Sequence, residues 1–305
     1  MSKGLKFIFF GIIILFAVVF FALAIVTRSQ ALDIVNHPLE ERPDMEKDPG
    51  DYGMVFEVVS VTTEDGLKLY GWYIPGENGG TVMIQHGSPG GRQDGLYEAD
   101  ILNEAGYGVL LGSFRAHDEC EGELISFGFH EQKDIAAWHQ YLLSRDDLDP
   151  DRIGLFGESM GGGTSILYTA ENPSIRALAT GSGFALTREV VILFLQFETD
   201  LPPALIPLLS RFIVFWAERG ADFQAESLDT EAVISQISPV PILIIHGGED
   251  DKIGPEVGKQ LFAAAAEPKE LTWFEKAGHV NFEDFYPEEY NRALINFFDQ
   301  HLLGN

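Results

Sequence analysis

The sequence predicts an α/β protein: a mostly parallel, twisted sheet with helices on both faces, an inserted helical segment, and one membrane-crossing helix at the N-terminus. Three observations predict it. From residue 81 onward, short apolar runs alternate with stretches of helical periodicity, the pattern of a parallel sheet covered on both sides. Residues 7–26 are uncharged and almost wholly apolar. At helical rise such a run of about 20 residues spans ~30 Å, the hydrocarbon thickness of a bilayer. Finally, the apolar run 153–156 passes straight into Gly157-Glu158-Ser159-Met160-Gly161 and then into the helix-compatible run 164–170.

The N-terminal run carries its own orientation signal. Lys3, Lys6 and the amino terminus precede it, and only Arg28 follows closely. The positive-inside rule puts the N-terminus in the cytoplasm and the rest of the chain outside, with residues 1–28 as the anchor. The competing reading is a secreted protein, cleaved at Ala22-Leu23-Ala24 or Ser29-Gln30-Ala31; the run is longer than the usual apolar core of a signal peptide, about 7–15 residues. Residues 29–53 are polar and hold Pro38, Pro43 and Pro49, so they read as a stalk to a domain over 54–305.

Strands are expected at 55–61 and 67–74, joined by a hairpin turn at Asp65-Gly66, then at 81–85, 108–111, 153–156, 175–180, 242–245 and 271–274. Helices are expected at 96–105, 129–144, 256–266 and 288–303. One segment breaks the alternation. Residues 184–237 contain no clear strand but two dense apolar stretches, 190–197 and 201–216, interrupted by Glu198, Asp200, three prolines and Arg211. That composition excludes a second membrane span and suits short helices laid over the strand ends as a lid. An apolar lid favours an apolar or acyl-bearing substrate.

Composition narrows the function. With 20 basic against 47 acidic residues and a net charge of −27, nucleic-acid binding is excluded, because phosphate would be repelled. The single Cys120 excludes an internal disulfide framework and a multi-cysteine metal site. Oligomeric state leaves no mark on the sequence.

The chemistry centres on Ser159. A glycine two residues to either side of a serine, after a buried strand and before a helix, is the form of a nucleophile elbow. Its hydroxyl needs a base, and the base needs an orienting group. His279 lies just past the strand expected at 271–274, and Asp250 just past that at 242–245, with Asp251 as a competitor for the same role. The order serine, acid, histidine is that of one known triad arrangement. An oxyanion needs preorganised donors, and His86-Gly87-Ser88-Pro89-Gly90-Gly91 follows the strand at 81–85. Pro89 has no N–H, so the donors assigned are the amides of Ser88 and Met160. No Lys-Ser/Thr follows these glycines, so a phosphate-binding loop is not the reading.

These motifs, with Phe114-Arg115-Ala116-His117, Asp149-Pro150-Asp151-Arg152-Ile153, His246-Gly247 and Gly278-His279, resemble those of the α/β-hydrolase superfamily over residues 55–303. The likeness is strongest to membrane-anchored bacterial serine hydrolases of the esterase and acylpeptidase-like group. It implies the triad Ser159, Asp250, His279 and an acyl-enzyme mechanism, with no metal or organic cofactor. It does not imply a substrate. The stretch 113–120 departs from the usual pattern, with Asp118 and Cys120 where glycine and serine are expected. Cys120 reads as a small packing residue. The expectation is therefore a membrane-anchored hydrolase of acyl esters, thioesters or amides. Acyl transfer on the same triad and a catalytically silent binding module are the rival readings.

Overall fold

The computed structural model describes residues 3–184, 191–192, 195 and 202–304. Its sheet has eight strands: β1 (Glu57–Thr62), β2 (Lys68–Ile74), β3 (Thr81–Gln85), β4 (Gly108–Gly112), β5 (Ile153–Glu158), β6 (Ala177–Gly181), β7 (Ile242–Gly247) and β8 (Lys269–Phe274). Their order is β1-β2-β4-β3-β5-β6-β7-β8, with β1 and β2 antiparallel and β4 through β8 parallel. The five inner strands β3 to β7 are buried along their whole length, which is why they read as unbroken apolar runs.

The helices are α1 (Lys3–Val35), α2 (Leu96–Glu104), α3 (Glu131–Leu143), α4 (Met160–Glu171), α5 (Ile206–Ala221), α6 (Glu256–Ala264) and α7 (Pro287–Phe298), with shorter turns between. Alternate strand residues divide between two cores. Val82, Ile84, Val109, Leu111, Phe156 and Leu243 pack with α2 and α7. Met83, Leu110, Leu155, Leu178 and Ile244 pack with α3, α4 and α6. The period-2 alternation of a strand thus supplies both layers at once.

α1 is one continuous helix of 33 residues, with a mean hydropathy of 3.2 over its most apolar window and nothing of that window buried. Its last turns enter a third apolar cluster, where Ala31 and Val35 are fully buried with Ile213, Ala217 and Ala221 of α5 and Leu167 of α4. α5 lies in the insertion between β6 and β7, where short helices are expected. Most of the apolar stretch 190–197 lies outside the described residues.

The stalk expected at 29–53 differs from what the structure shows. Helix α1 continues to Val35, and the chain beyond it is held on the domain rather than extended from it. The Ile125 amide donates to the Val35 carbonyl at 2.8 Å, and the His37 amide to that of Glu123 at 2.8 Å. Arg42 donates to the carbonyls of His37 (3.1 Å), Asp118 (3.0 Å), Cys120 (2.7 Å) and Gly122. Beyond α1 the docking runs through hydrogen bonds to backbone carbonyls, which a polar composition allows. Arg42→Ala strands these carbonyls and should lower stability by about 1–3 kcal/mol. Urea unfolding of the full chain in detergent measures this; an unchanged midpoint would show the segment to be loosely attached.

Candidate active site

At the end of β5 the chain reverses into α4 within one residue, Ser159, whose backbone sits at φ 50° and ψ −117°. That conformation is strained for a residue with a side chain, and it persists only because its surroundings over-determine it. A Cβ on Gly157 would lie 2.4 Å from the Gly161 carbonyl oxygen, and one on Gly161 would lie 2.3 Å from that of Gln85. Neither position has room for any other residue. The Ser159 amide donates to the Gly181 carbonyl at 2.9 Å, and the Ser159 carbonyl accepts from Gly163 at 3.0 Å, which pins both sides of the turn.

Ser159 Oγ lies 2.8 Å from His279 Nε2, and His279 Nδ1 lies 2.9 Å from Asp250 Oδ2. Asp250 is buried and its Oδ1 accepts from the amides of Lys252 and Ile253, both at 3.0 Å. Burial pushes its carboxyl up, but the hydrogen bond and charge of His279 outweigh that and bring it down to about 2. Its charge is therefore kept at neutral pH. Asp251 is exposed. So of the two adjacent aspartates, the structure brings Asp250 to the histidine. With Asp250 accepting at Nδ1–H, the Nε2 lone pair faces the serine hydroxyl, the tautomer a base requires.

The glycine-rich turn after β3 closes against this group. Gly87 passes so near that a Cβ there would lie 3.2 Å from Ser159 Cβ. Among the described residues the amides of Ser88 and Met160 meet no backbone acceptor, the second being at the first position of α4, where helix geometry supplies none. Ser88 Oγ lies 3.1 Å from His117 Nε2, whose other nitrogen, Nδ1, lies 2.8 Å from the Arg115 carbonyl. His117 is fully buried and its ring packs edge-on to those of His86 (4.8 Å) and His37 (5.0 Å). Burial and the neighbouring His86 hold its basicity well below the usual range, so it is neutral and fixed as the Nδ1–H tautomer. Sequence reasoning marked the segment 114–117 but assigned His117 no part. The loop it opens, in doubt from the departures at 118 and 120, is set by Ala116 and Asp118 at positive φ. Asp118 accepts from Ser113 Oγ and the Arg92 amide (3.0 Å), and a Cβ on Gly91 would collide with it. Cys120 is buried and its thiol is pushed up to about 12 by burial, in keeping with a packing residue.

A second group of carboxyls escaped the sequence reading. Glu158, the residue before Ser159, is buried near Glu98 and Glu283. Burial and the charges of Glu98 and Glu283 push its carboxyl well above the usual range. Glu98 Oε1 accepts from Tyr290 Oη at 2.7 Å, and its carboxyl is pushed up to about 7, first by burial, with Glu283 and Asp94 adding to it. These residues are far apart in the chain, and nothing in their local spacing announces the cluster.

A sheet of this order with this elbow defines a serine hydrolase of the α/β-hydrolase superfamily. The sequence profile of the prolyl oligopeptidase family matches residues 126–305, and the chain belongs to that family. The profile of the X-Pro dipeptidyl-peptidase family matches residues 44–191. An uncharacterised protein of Mycobacterium tuberculosis is 32% identical over 232 residues, covering 72% of this chain and 71% of its own. An α/β-hydrolase domain-containing protein of Arabidopsis thaliana is 25% identical over 268 residues, covering 83% and 82%. In structure the chain is similar to an esterase of Pyrococcus furiosus, with a TM-score of 0.70, 25% identity, and coverage of 88% of this chain and 98% of that one.

The raised Glu98 carboxyl makes stability depend on pH. The unfolded group releases its proton near its ordinary 4.5, whereas the folded one holds it to about 7. The stability it contributes is full below the lower value and is lost as pH rises through the upper one. Glu98→Gln keeps an acceptor for Tyr290 and removes this titration. From pH ~5 to ~8 the urea midpoint of the wild type should fall more steeply than that of Glu98→Gln. Parallel curves would mean that Glu98 is ionised in the fold.

Proposed function

We propose that this protein is a membrane-anchored carboxylic ester hydrolase working through Ser159, His279 and Asp250. The observation that carries the reading is the continuous pair of contacts, 2.8 Å from Ser159 Oγ to His279 Nε2 and 2.9 Å from His279 Nδ1 to Asp250. His279 takes the hydroxyl proton as Ser159 attacks the acyl carbonyl, and Asp250 holds the imidazole and stabilises its cation. The amides of Ser88 and Met160 receive the oxyanion. His279 then gives its proton to the departing alkoxide, leaving the acyl group on Ser159. Water, deprotonated by the same histidine, releases the acid and restores the serine.

Ester in preference to amide is supported by the similarity to the Pyrococcus furiosus esterase along nearly all of that chain. Family membership alone leaves peptide bonds in reach, since the family takes its description from an oligopeptidase. Retention of α1 as an anchor is supported by its exposed apolar surface and its union with the domain, and a cytoplasmic N-terminus by Lys3 and Lys6 ahead of the apolar run. Cleavage at Ala31 would cut the helix in the turn that packs against α5.

The full chain in detergent should react with a fluorophosphonate probe and hydrolyse short-chain p-nitrophenyl esters faster than aminoacyl p-nitroanilides. Ser159→Ala should lose both. Asp250→Asn should lower kcat by ~10³–10⁴-fold, the scale of losing the orienting acid. Asp251→Asn should leave it unchanged. Equal losses in the two aspartate variants would sink the assignment of the acid, and a labelled Ser159→Ala would sink that of the nucleophile.

A further inference from the structure

A strongly apolar cavity among the described residues lies away from Ser159. It is a groove of about 740 Å³ between α1 and α5, lined by Phe20 and Ile25 on one wall and Leu208 and Phe212 on the other, with Arg28 and Arg211 at its edge. The walls touch through the rings of Phe20 and Phe212, edge to face at 6.1 Å. α5 turns Ile206, Ser210, Ile213 and Ala217 to the domain, so that face is already used. Its opposite face is also apolar, leaving Leu208 48% and Phe215 41% exposed. With one apolar face turned to the domain and a second left bare, the bare side of α5 suits contact with lipid.

Position agrees. The α1 wall lies in the apolar run assigned to the bilayer, within its last turns before Arg28. Eight residues of helix from Phe20 to Arg28 rise ~12 Å. The outer face of α5 therefore sits at the depth where an interfacial helix beds into the headgroup and acyl boundary. Charge says what kind of lipid. In a chain of net charge −27, two exposed arginines meet at this edge, and neither has a carboxylate partner among the described residues. A guanidinium beside hydrocarbon is suited to a phosphate oxygen, its stem lying along the apolar wall.

We propose that the groove between α1 and α5 binds an anionic phospholipid of the surrounding leaflet, an acyl chain lying between the helices and its phosphate held by Arg28 and Arg211. The site goes beyond the hydrolase reading and requires only that α1 is a membrane anchor. It would fix the depth and tilt of the domain on the bilayer through α5, which also packs on Leu167 of the elbow helix.

The test uses the full chain reconstituted in vesicles of phosphatidylcholine and phosphatidylglycerol, released into mild detergent for native mass spectrometry. The wild type should retain one phosphatidylglycerol per chain with a preference of about tenfold or more over phosphatidylcholine. Arg28→Ala/Arg211→Ala should lose that preference while staying membrane-bound and reacting with fluorophosphonate as before. Brominated acyl chains should quench the fluorescence of the wild type more than that of Trp216→Phe, since Trp216 lines the groove. Equal retention of the two lipids by the wild type, a double variant that keeps the preference, or a dimer that covers the groove and excludes lipid would each overturn the proposal. Extraction of the chain by alkaline carbonate would instead overturn the anchor reading, and this one with it.

Discussion

Everything at the site depends on a backbone reversal that a side chain ordinarily forbids. Ser159 at φ 50° lifts its hydroxyl clear of β5 and starts α4 with the next residue. Residues on either side must then pass within van der Waals contact of neighbouring carbonyls, and only glycine at 157 and 161 allows it. The parallel sheet makes this affordable. β5 is bonded on both sides, to β3 and β6, and the same two strands lead into the glycine turn at 87 and the carbonyl at 181 that frame the serine. The strain is local, and the strand pairing that resists its release is not.

The same arrangement separates two sets of carboxyls by environment. Asp250, which meets His279, and Glu158, the residue before Ser159, are both buried, yet they are driven in opposite directions. Asp250 has two backbone amides and an imidazole N–H as donors, so its anion is solvated by the protein. Glu158 has carboxyls for neighbours, so burial is left uncompensated. One face of the elbow therefore carries a fixed negative charge that can stabilise an imidazolium. The Glu158 carboxyl, with Glu98 and Glu283 beside it, stays closer to neutral.

How much of this was legible follows from where each feature is encoded. The inner strands could be read because burial on both faces leaves a continuous apolar run, and residues 81–85 form the strand expected of them. The elbow, the histidine and the glycine turn could be read because each is a short local pattern at a strand end. Asp250 and Asp251 could not be separated, because adjacent residues share every sequence property and differ only in which side chain the turn points inward. The cluster of Glu98, Glu158 and Glu283 and the ring of His117 depend on contacts across distant segments. Residues 29–53 do not form the expected stalk because α1 continues through Ala31 and Val35 and Arg42 docks onto carbonyls, and neither shows in a polar, proline-bearing composition.

That difference has the largest physical consequence. A flexible stalk would leave the domain free to turn relative to α1. Here α1 enters the domain core at Ala31 and Val35, and the next residues run into the loop that supports the site. His37 packs edge-on to His117, whose Nε2 lies 3.1 Å from Ser88 Oγ in the turn after β3. The link from α1 to the turn at Ser88 is made of backbone pairs, ring packing and a side-chain hydrogen bond. The direction in which Ser159 faces is thus set relative to α1, because α1, the segment after it and the turn at Ser88 are joined by these contacts.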